Sequence, residues 1–369
     1  MADRIENLII GGGLAGLIAA NLLSKAGRQV LLIEKKAYPF HRVCGEYISN
    51  EVLDFLKREG LLPAGFDLPQ IDRFIFSDTR GKSTVIPLDL GGFGISRFVF
   101  DDFLYHSALE NGAEIWTGNQ VENISFNKVD FTLELADGKV LMANNVIGAF
   151  GKRSKLDKVL KRDFIKKRSP YIGVKYHVKT EIDRNTVALH NFFGGYCGVN
   201  AIEENKVNLC YLGSRDQLRS MGSIEEMERL ILYKNPHLKR IFSESEFLFD
   251  KPEVINEINF EAKKPVEEHI LMAGDSAGLI TPLCGNGMAM AIQAGKLAAE
   301  ALINYSSREK IELYYTSNWQ TLFERRLIVG RGVQTLFGSE SASRFTRNLI
   351  AHVPYIAKKI IKNTHGKPF

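Results

Sequence analysis

The residues of this chain that could do chemistry gather in two glycine-rich stretches. In the first, Gly11, Gly13 and Gly16 form G-x-G-x-x-G, a spacing that allows in turn a tight turn, a close approach of backbone to a pyrophosphate, and close packing of a helix on a strand. Glu34, with Lys35 beside it, ends the next apolar run. A carboxylate there takes adenosine ribose hydroxyls and disfavours a 2′-phosphate. In the second stretch an apolar run is followed by Gly274-Asp275, and Pro282, Gly285 and Gly287 then precede a small-residue helix with Ala289, Ala291 and Ala294. Asp275 can accept hydrogen bonds from ribityl hydroxyls, and free backbone N–H groups at Gly287 and Met288 can face the electron-rich edge of a reduced flavin. Neither feature is needed to hold NAD, so the pair points to FAD.

The elements that must position these groups are legible at the N-terminus. Residues 7–10 read as a buried strand, residues 14–25 as a helix opened by Leu14 and Ala15, Gly27 as its stop, and residues 29–33 as a second strand. Strand, glycines, helix, strand and acid stand in register, which makes this signal far more specific than the glycines alone.

Four motifs resemble the FAD-dependent oxidoreductases of the para-hydroxybenzoate hydroxylase fold, close to the geranylgeranyl reductase group and its neighbours the flavin-dependent halogenases. They are GGGLAG from Gly11 to Gly16, HRVCGE from His41 to Glu46, ISRFVFDDFL from Ile95 to Leu104, and the GDSAG…PLCGNG stretch. The resemblance implies an α/β fold: a Rossmann-type, glutathione-reductase-like FAD-binding domain interleaved with a mixed or antiparallel β-sheet substrate domain, plus C-terminal helices. It also implies that Arg97, with Asp101 and Leu104, lies on the FAD side of a helix start, and that Cys44-Gly45-Glu46 approaches the isoalloxazine. Phe150 stands where the family's G-A-D-G-x-x-S motif has Asp, removing an acid linked to cofactor or pyridine nucleotide pyrophosphate binding. Neither the W-x-W-x-I-P segment of the halogenases nor the Tyr and Trp pair of the prenyl reductases is present, so the reaction itself does not carry over.

The interleaving predicts an FAD-binding domain from residues 1–70, 98–165 and 266–308, a substrate domain from 71–97 and 166–265, and a helical region over 309–369 with Pro354 as a break. The substrate pieces, such as PYIGVKYHVKT and KVNLCYLG, alternate as strands do and should form one sheet over the flavin. Residues 224–233 read as a helix crossing it. GGFG at Gly91 to Gly94 lacks a following glycine and helix, so no second dinucleotide fold is evident. NAD(P)H is therefore expected as a transient electron donor, or a partner delivers electrons.

Catalytic candidates are fewer. Cys44 could supply a proton, Glu46 follows the Cys-Gly pair, and Tyr196 offers a hydroxyl in a segment where related enzymes place substrate-facing residues. Arg42 could bind flavin phosphate, and the pair His41-Arg42 could equally be solvated. His190 reads as a satisfied structural histidine, and Gly194, Gly195 and Gly198 as turn or ligand glycines in equal measure. The flavin carries the hard chemistry, so a protein acid or base need not be conspicuous.

Length and composition fit a flavoenzyme with a large core: 369 residues, 45% of them hydrophobic. The four cysteines lack metal spacing, so no metal is expected, and a reduced compartment fits them. No apolar run spans a bilayer, which leads to a cytoplasmic expectation. From Leu327 to Phe369 there are seven Lys or Arg against Glu340 alone, interleaved with apolar residues. That region could rest on an anionic membrane surface, or pack with its basic face in water; no nucleic-acid motif accompanies the charge. The function expected is oxidation or reduction of an apolar or phenolic small molecule: monooxygenation first, reduction of isoprenoid double bonds as the alternative, and electron relay without catalysis as the least favoured.

Overall fold

Leu8, Ile9 and Ile10 are apolar because they form the middle of a sheet covered on both faces. The computed structural model describes residues 4–256, 258–281, 285–334 and 339–369. In it, strand Arg4–Ile10 pairs in parallel with Val30–Glu34 and Val140–Gly148, and Glu114–Thr117 and Ile270–Met272 extend the sheet outward, also in parallel. Such doubly covered strands read as unbroken apolar runs, as VLLIE does. Helix Leu14–Lys25 lies across this sheet and meets helix Gly287–Asn304 closely: a Cβ at Gly295 would come within 2.3 Å of the Ala15 carbonyl oxygen.

The second sheet is mixed, and the chain enters it from several directions. Tyr171–Lys179, Val207–Ser214, Gly195–Ala201 and Thr186–Phe192 lie side by side and antiparallel. Thr186–Phe192 then pairs in parallel with Gln70–Ser77, which pairs antiparallel with Ser83–Gly94. Strand Tyr47–Ser49 joins this sheet through Ser83–Gly94, although it lies within the stretch 1–70 assigned from sequence to FAD binding.

Period-two alternation gives this sheet two different faces. Ile172, Val174, Tyr176 and Val178, with Val199, Leu209 and Tyr211, pack beneath Met227, Leu238, Ile241 and Phe242. These last residues come from helices Ile224–Leu230 and Pro236–Glu244; the helix expected over 224–233 stops early and continues as a 3-10 turn, Leu232–Lys234. Across the opposite face run three rungs in register: Gly173, Leu212, Tyr196 and Asn191; then Lys175, Cys210, Gly198 and Leu189; then His177, Asn208, Asn200 and Val187.

The last two helices, Glu340–His352 and Pro354–Thr364, sit against the outer strands of this sheet. Pro354 both ends one helix and begins the next, where its missing N–H costs nothing. Arg347 pairs with Asp78 at 3.0 Å, Arg80 with Glu340 at 2.5 Å and Lys358 with Asp89 at 3.1 Å. Beyond them a single buried carboxylate gathers distant parts of the chain. Glu51 is fully buried; it accepts from Arg326 Nη1 at 3.0 Å, from Asn286 Nδ2 at 3.2 Å and from the Gly366 backbone N–H, while its own carbonyl accepts from the Phe369 N–H. No helix among the described residues is long and apolar enough to cross a membrane.

Candidate flavin site

The first glycine stretch turns sharply between strand and helix. Gly11 holds φ at +103°, and a Cβ on Gly16 would stand 2.0 Å from the Gly11 carbonyl oxygen, so the helix can lie this close to the strand only without one. Gly13 differs: an added Cβ there meets nothing nearer than Arg97 Nη2 at 3.7 Å. Gly13 caps the helix, no side chain bonds its first turn, and Leu14 and Ala15 behind it are buried. The N–H groups of this turn therefore face open space in front of a positive helix end.

Four charged side chains alternate beside this loop. Glu34 accepts from the Gly12 N–H at 2.8 Å, from the Lys36 N–H at 3.1 Å and from Arg42 Nη2 at 3.2 Å. Arg42 Nε donates to Asp101 at 2.9 Å, and Arg97 grips Asp101 through two bonds of 2.6 and 2.7 Å. Arg42 is thus held by two acids and by the Gly12 carbonyl, to which it donates at 3.0 Å. Lys35 points outward, exposed.

The segment carrying Cys44, Gly45 and Glu46 is fixed from the second sheet. Asn208 Nδ2 donates to the carbonyls of Cys44 and Gly45 at 3.2 and 2.9 Å, and Asn200 Nδ2 to that of Glu46 at 3.3 Å. Glu46 adopts φ of +52° and turns its carboxylate fully inward. There it accepts from Lys175 Nζ at 2.5 Å, from His177 Nε2 at 2.6 Å and from the Arg97 N–H at 2.8 Å. Burial would raise its pKa, but Lys175 and the His177 hydrogen bond outweigh burial and hold it at about 2. Lys175 also donates to the Arg42 carbonyl at 3.1 Å. Cys44 is only half-buried, and desolvation keeps its thiol above the usual range. An added Cβ at Gly45 would meet nothing within 4 Å, so this loop presents an open backbone surface.

The second glycine stretch closes the site. Strand Ile270–Met272 leads into the turn Gly274–Ser276, and the Asp275 carboxyl takes no hydrogen bond from any described residue. Desolvation raises its pKa. Its backbone is secured instead: Lys263 Nζ donates to the Asp275 and Lys152 carbonyls at 2.8 and 2.9 Å. Gly274 and Asp275 line a shallow cleft with Gly287, Ala291 and Trp319. Gly287 opens helix Gly287–Asn304, whose start also lacks a side-chain cap, with Met288 buried behind it and Gly285 at φ +62° before it. Pro282, like Cys284, lies outside the described residues.

These features fit FAD. Two uncapped helix starts, an open Gly13, an open Gly45 and an unpartnered Asp275 carboxyl provide what a pyrophosphate, an isoalloxazine edge and a ribityl chain require. Phe150 packs under this floor, with its ring 2.9 Å from where a Cβ of Gly148 would be.

The other sequence candidates are scattered around this centre. Tyr196 is buried among Phe76, Leu189, Leu212 and Ile258, with Leu279 and Ile350 packed against the same group. Gly194 serves the turn of the hairpin at φ +90°, whereas Gly198 lies in the middle rung of the inner face. His190 bonds Ser77 at 2.9 Å on the outer side, as a structural histidine does. His41 stacks between Phe98 and Phe249 at 4.6 and 4.5 Å, and its buried Nδ1 has no hydrogen-bond partner. Desolvation, then the charges of Lys175 and His177, lower its pKa to about 4, so it is neutral at pH 7.

Sequence reading missed Lys175, His177, Asn200 and Asn208. Polar residues alternating with apolar ones look like a solvent face. The available signal was the asparagines, which strands disfavour, recurring at matching positions in consecutive strands.

Comparison with known proteins agrees with this geometry. A family model described as FAD binding domain matches residues 4–314. Digeranylgeranylglycerophospholipid reductase 1 of Methanopyrus kandleri is 26% identical over 343 residues, covering 87% of this chain and 86% of its own length. A geranylgeranyl bacteriochlorophyll reductase-like protein from Thermoplasma acidophilum superposes with a TM-score of 0.76 at 18% identity, over 98% of this chain and 96% of that one. p-Nitrophenol 4-monooxygenase from Pseudomonas putida superposes with a TM-score of 0.77 at 16% identity, over 99% of this chain and 100% of that one.

Proposed function

The chain belongs to the FAD binding domain family, and from that premise we propose that it reduces carbon–carbon double bonds in an extended apolar substrate of isoprenoid type. It is an FAD-dependent oxidoreductase. The FAD would be held by Gly11, Gly13, Leu14, Ala15 and Gly16 at the pyrophosphate and by Glu34 at the ribose. Asp275 would hold the ribityl chain, and Gly285, Gly287 and Met288, opposite Cys44-Gly45, the isoalloxazine. Arg42 and Arg97 act one layer back, holding Glu34 and Asp101. When bound and reduced, the flavin supplies the hydride.

The observation that carries the substrate class is the apolar rung. Tyr196 and Leu212 pack with Phe76, Leu189 and Ile258 in a buried apolar cluster, and Leu279, four residues beyond Asp275, packs against it, so a hydrocarbon would enter by displacing these contacts. The cluster's side chains suit hydrocarbon, and they exclude water from the reacting carbons. The Cys44 thiol, kept protonated by desolvation, belongs to the loop that Asn208 fastens to the polar rung and would be the chain's own proton source. Glu46 touches neither substrate nor cofactor in this reading; it positions the Cys44-Gly45 loop.

Oxygen transfer to a phenol is the second reading. In its favour, His41 offers an unpartnered nitrogen between two phenylalanine rings, a setting that could hold an aromatic hydroxyl. The two separate by one experiment. FAD-loaded protein, reduced anaerobically with dithionite, is mixed with a geranylgeranyl lipid: flavin reoxidation with gain of two hydrogens by the lipid is expected. Reoxidation that waits for oxygen, with one oxygen atom added to a phenol, would replace the reductive reading.

A further inference from the structure

The most concentrated charge in the molecule is not in the C-terminal region. Residues 152–168, KRSKLDKVLKRDFIKKR, hold nine Lys or Arg against two Asp, a net +7 in a chain of net +5. Part of this charge is internal: Arg162 is buried against Asp157 at 2.9 Å and reaches Glu267 at 3.5 Å. Lys155, Lys166 and Lys167 pair at the surface with Glu122, Asp163 and Glu261. Lys158, Lys161 and Arg168 are exposed with no acidic partner among the described residues. The patch extends to Lys263, whose Nζ lies 4.2 Å from the Phe164 ring centre, and to Lys264, which is 77% exposed. Burial first, then Arg162, lower the Lys263 pKa to about 8, as a positive surrounding requires.

The patch is attached to the proposed flavin floor. The Gly151 N–H donates to Ser276 Oγ at 2.9 Å, Arg162 Nη2 to the Ser276 carbonyl at 2.9 Å, and Lys263 to the Asp275 carbonyl. Its composition separates it from the other basic region. Between residues 152 and 168 the only large apolar side chain strongly exposed is Val159, at 38%, whereas the C-terminal helices expose Phe345, Val353 and Tyr355 at 61, 40 and 71%. A membrane surface takes charge together with apolar side chains. A face of charge alone suits an acidic protein, which it attracts and orients without holding it long.

We propose that residues 152–168, with Lys263 and Lys264, form the docking face for a small acidic electron-carrier protein that reduces the flavin. The proposal rests on the flavin site described above. Each carrier docked there is oxidised by one electron; two successive carriers, with two protons from solvent, reduce one FAD by two electrons.

The test uses FAD-loaded protein, a reduced plant-type [2Fe–2S] ferredoxin as probe, and anaerobic stopped-flow bleaching of the flavin. Lys158→Glu/Lys161→Glu/Arg168→Glu should slow bleaching at low salt by about tenfold or more, and high salt should bring parent and variant together. The milder Lys158→Gln/Lys161→Gln should fall between them and covers any folding defect of the triple variant. Reduction by dithionite and FAD content should be equal in all three proteins; loss of FAD from the parent would instead fault the flavin site itself. Equal ferredoxin rates in parent and variants would overturn the proposal, as would no reduction of the parent. It would also fail if the variants lost only NADPH-driven reduction, which makes the patch a nucleotide site, or only binding to anionic vesicles.

Discussion

Tyr196 and Asn200 share one strand and one face, two rungs apart, and their surroundings have little in common. Around Asn200 the rung is polar and its donors are engaged: Asn200 and Asn208 bond the Cys44 to Glu46 backbone through Nδ2, and His177 bonds the Glu46 carboxylate. Around Tyr196 the side chains are mostly apolar, Leu279 and Ile350 pack against them, and the one amide, Asn191, donates to the Ser77 carbonyl at 2.7 Å. Buried polar groups are costly unless they are paired, so the polar end is committed to fixing the loop that faces the flavin. The apolar end is held mainly by packing, which a ligand of similar shape can replace without leaving a buried charge unpaired. A sheet face can thus hold one wall of a site rigid while leaving the other adaptable.

The largest expected effect breaks the polar end. Lys175→Met leaves Glu46 buried without its main cation, and removing one member of a buried pair costs about 3–5 kcal/mol. Urea unfolding should show that loss, with FAD released early in the transition. Acid behaviour gives the sign. Glu46 is held at about 2 against an ordinary 4.5, so its contribution is whole above pH 4.5 and disappears as pH falls towards 2. In Lys175→Met, with the cation that most lowers the Glu46 pKa gone, the loss of stability between pH 4.5 and 2 should be smaller than in the parent. An unaltered acid transition would show that Lys175 does not govern Glu46.

Asp275→Ala comes next. A hydrogen bond to a charged group is worth about 1.5–3 kcal/mol, so FAD should bind roughly ten to a hundred times more weakly while unfolding without FAD is unchanged. Unaltered FAD affinity would make the turn purely structural. Gly13→Val sharpens the same point, because the space at Gly13 admits a side chain only when no pyrophosphate occupies it: the variant should fold and stay colourless.

At the apolar end the effect should be smaller and of another kind. Leu279→Ala should lower kcat/KM for a geranylgeranyl lipid by about 1–3 kcal/mol, leaving FAD content and spectrum as they were. Loss of FAD in this variant would erase the distinction between the two ends. The smallest effect concerns the C-terminal helices that carry Ile350. Lys359→Gln and Lys362→Gln should each weaken co-sedimentation with anionic vesicles by no more than about 1 kcal/mol, and Lys358→Gln by less, since Asp89 already holds Lys358. Equal recovery with neutral and anionic vesicles would mean that these basic side chains face water alone.

What could be read from sequence was local. The turn, open approach and close packing at Gly11, Gly13 and Gly16 lie within one strand–helix unit, and the second strand, expected over 29–33, runs Val30–Glu34 and takes in the acid itself. Glu46 and Lys175 are 129 residues apart and meet only because the sheet folds onto the loop. Nothing in the run VKYHVK distinguishes a lysine facing water from one facing a buried glutamate. The Arg42 guanidinium shows the same limit: its loop position suggested phosphate, and Asp101, 59 residues on, claims it.

Glu51 bears on how the protein is made. Its partners are spread from Asn286 through Arg326 to Gly366, up to 315 residues downstream. During synthesis the first sheet's early strands leave the ribosome long before any of these groups exist, and until they arrive the Glu51 carboxylate must stay in water. The start of helix Gly287–Asn304, fastened to Glu51 through Asn286, therefore matures last. A translation product halted before Gly366 lacks one of the three Glu51 carboxylate contacts and should retain less FAD than the longer chain.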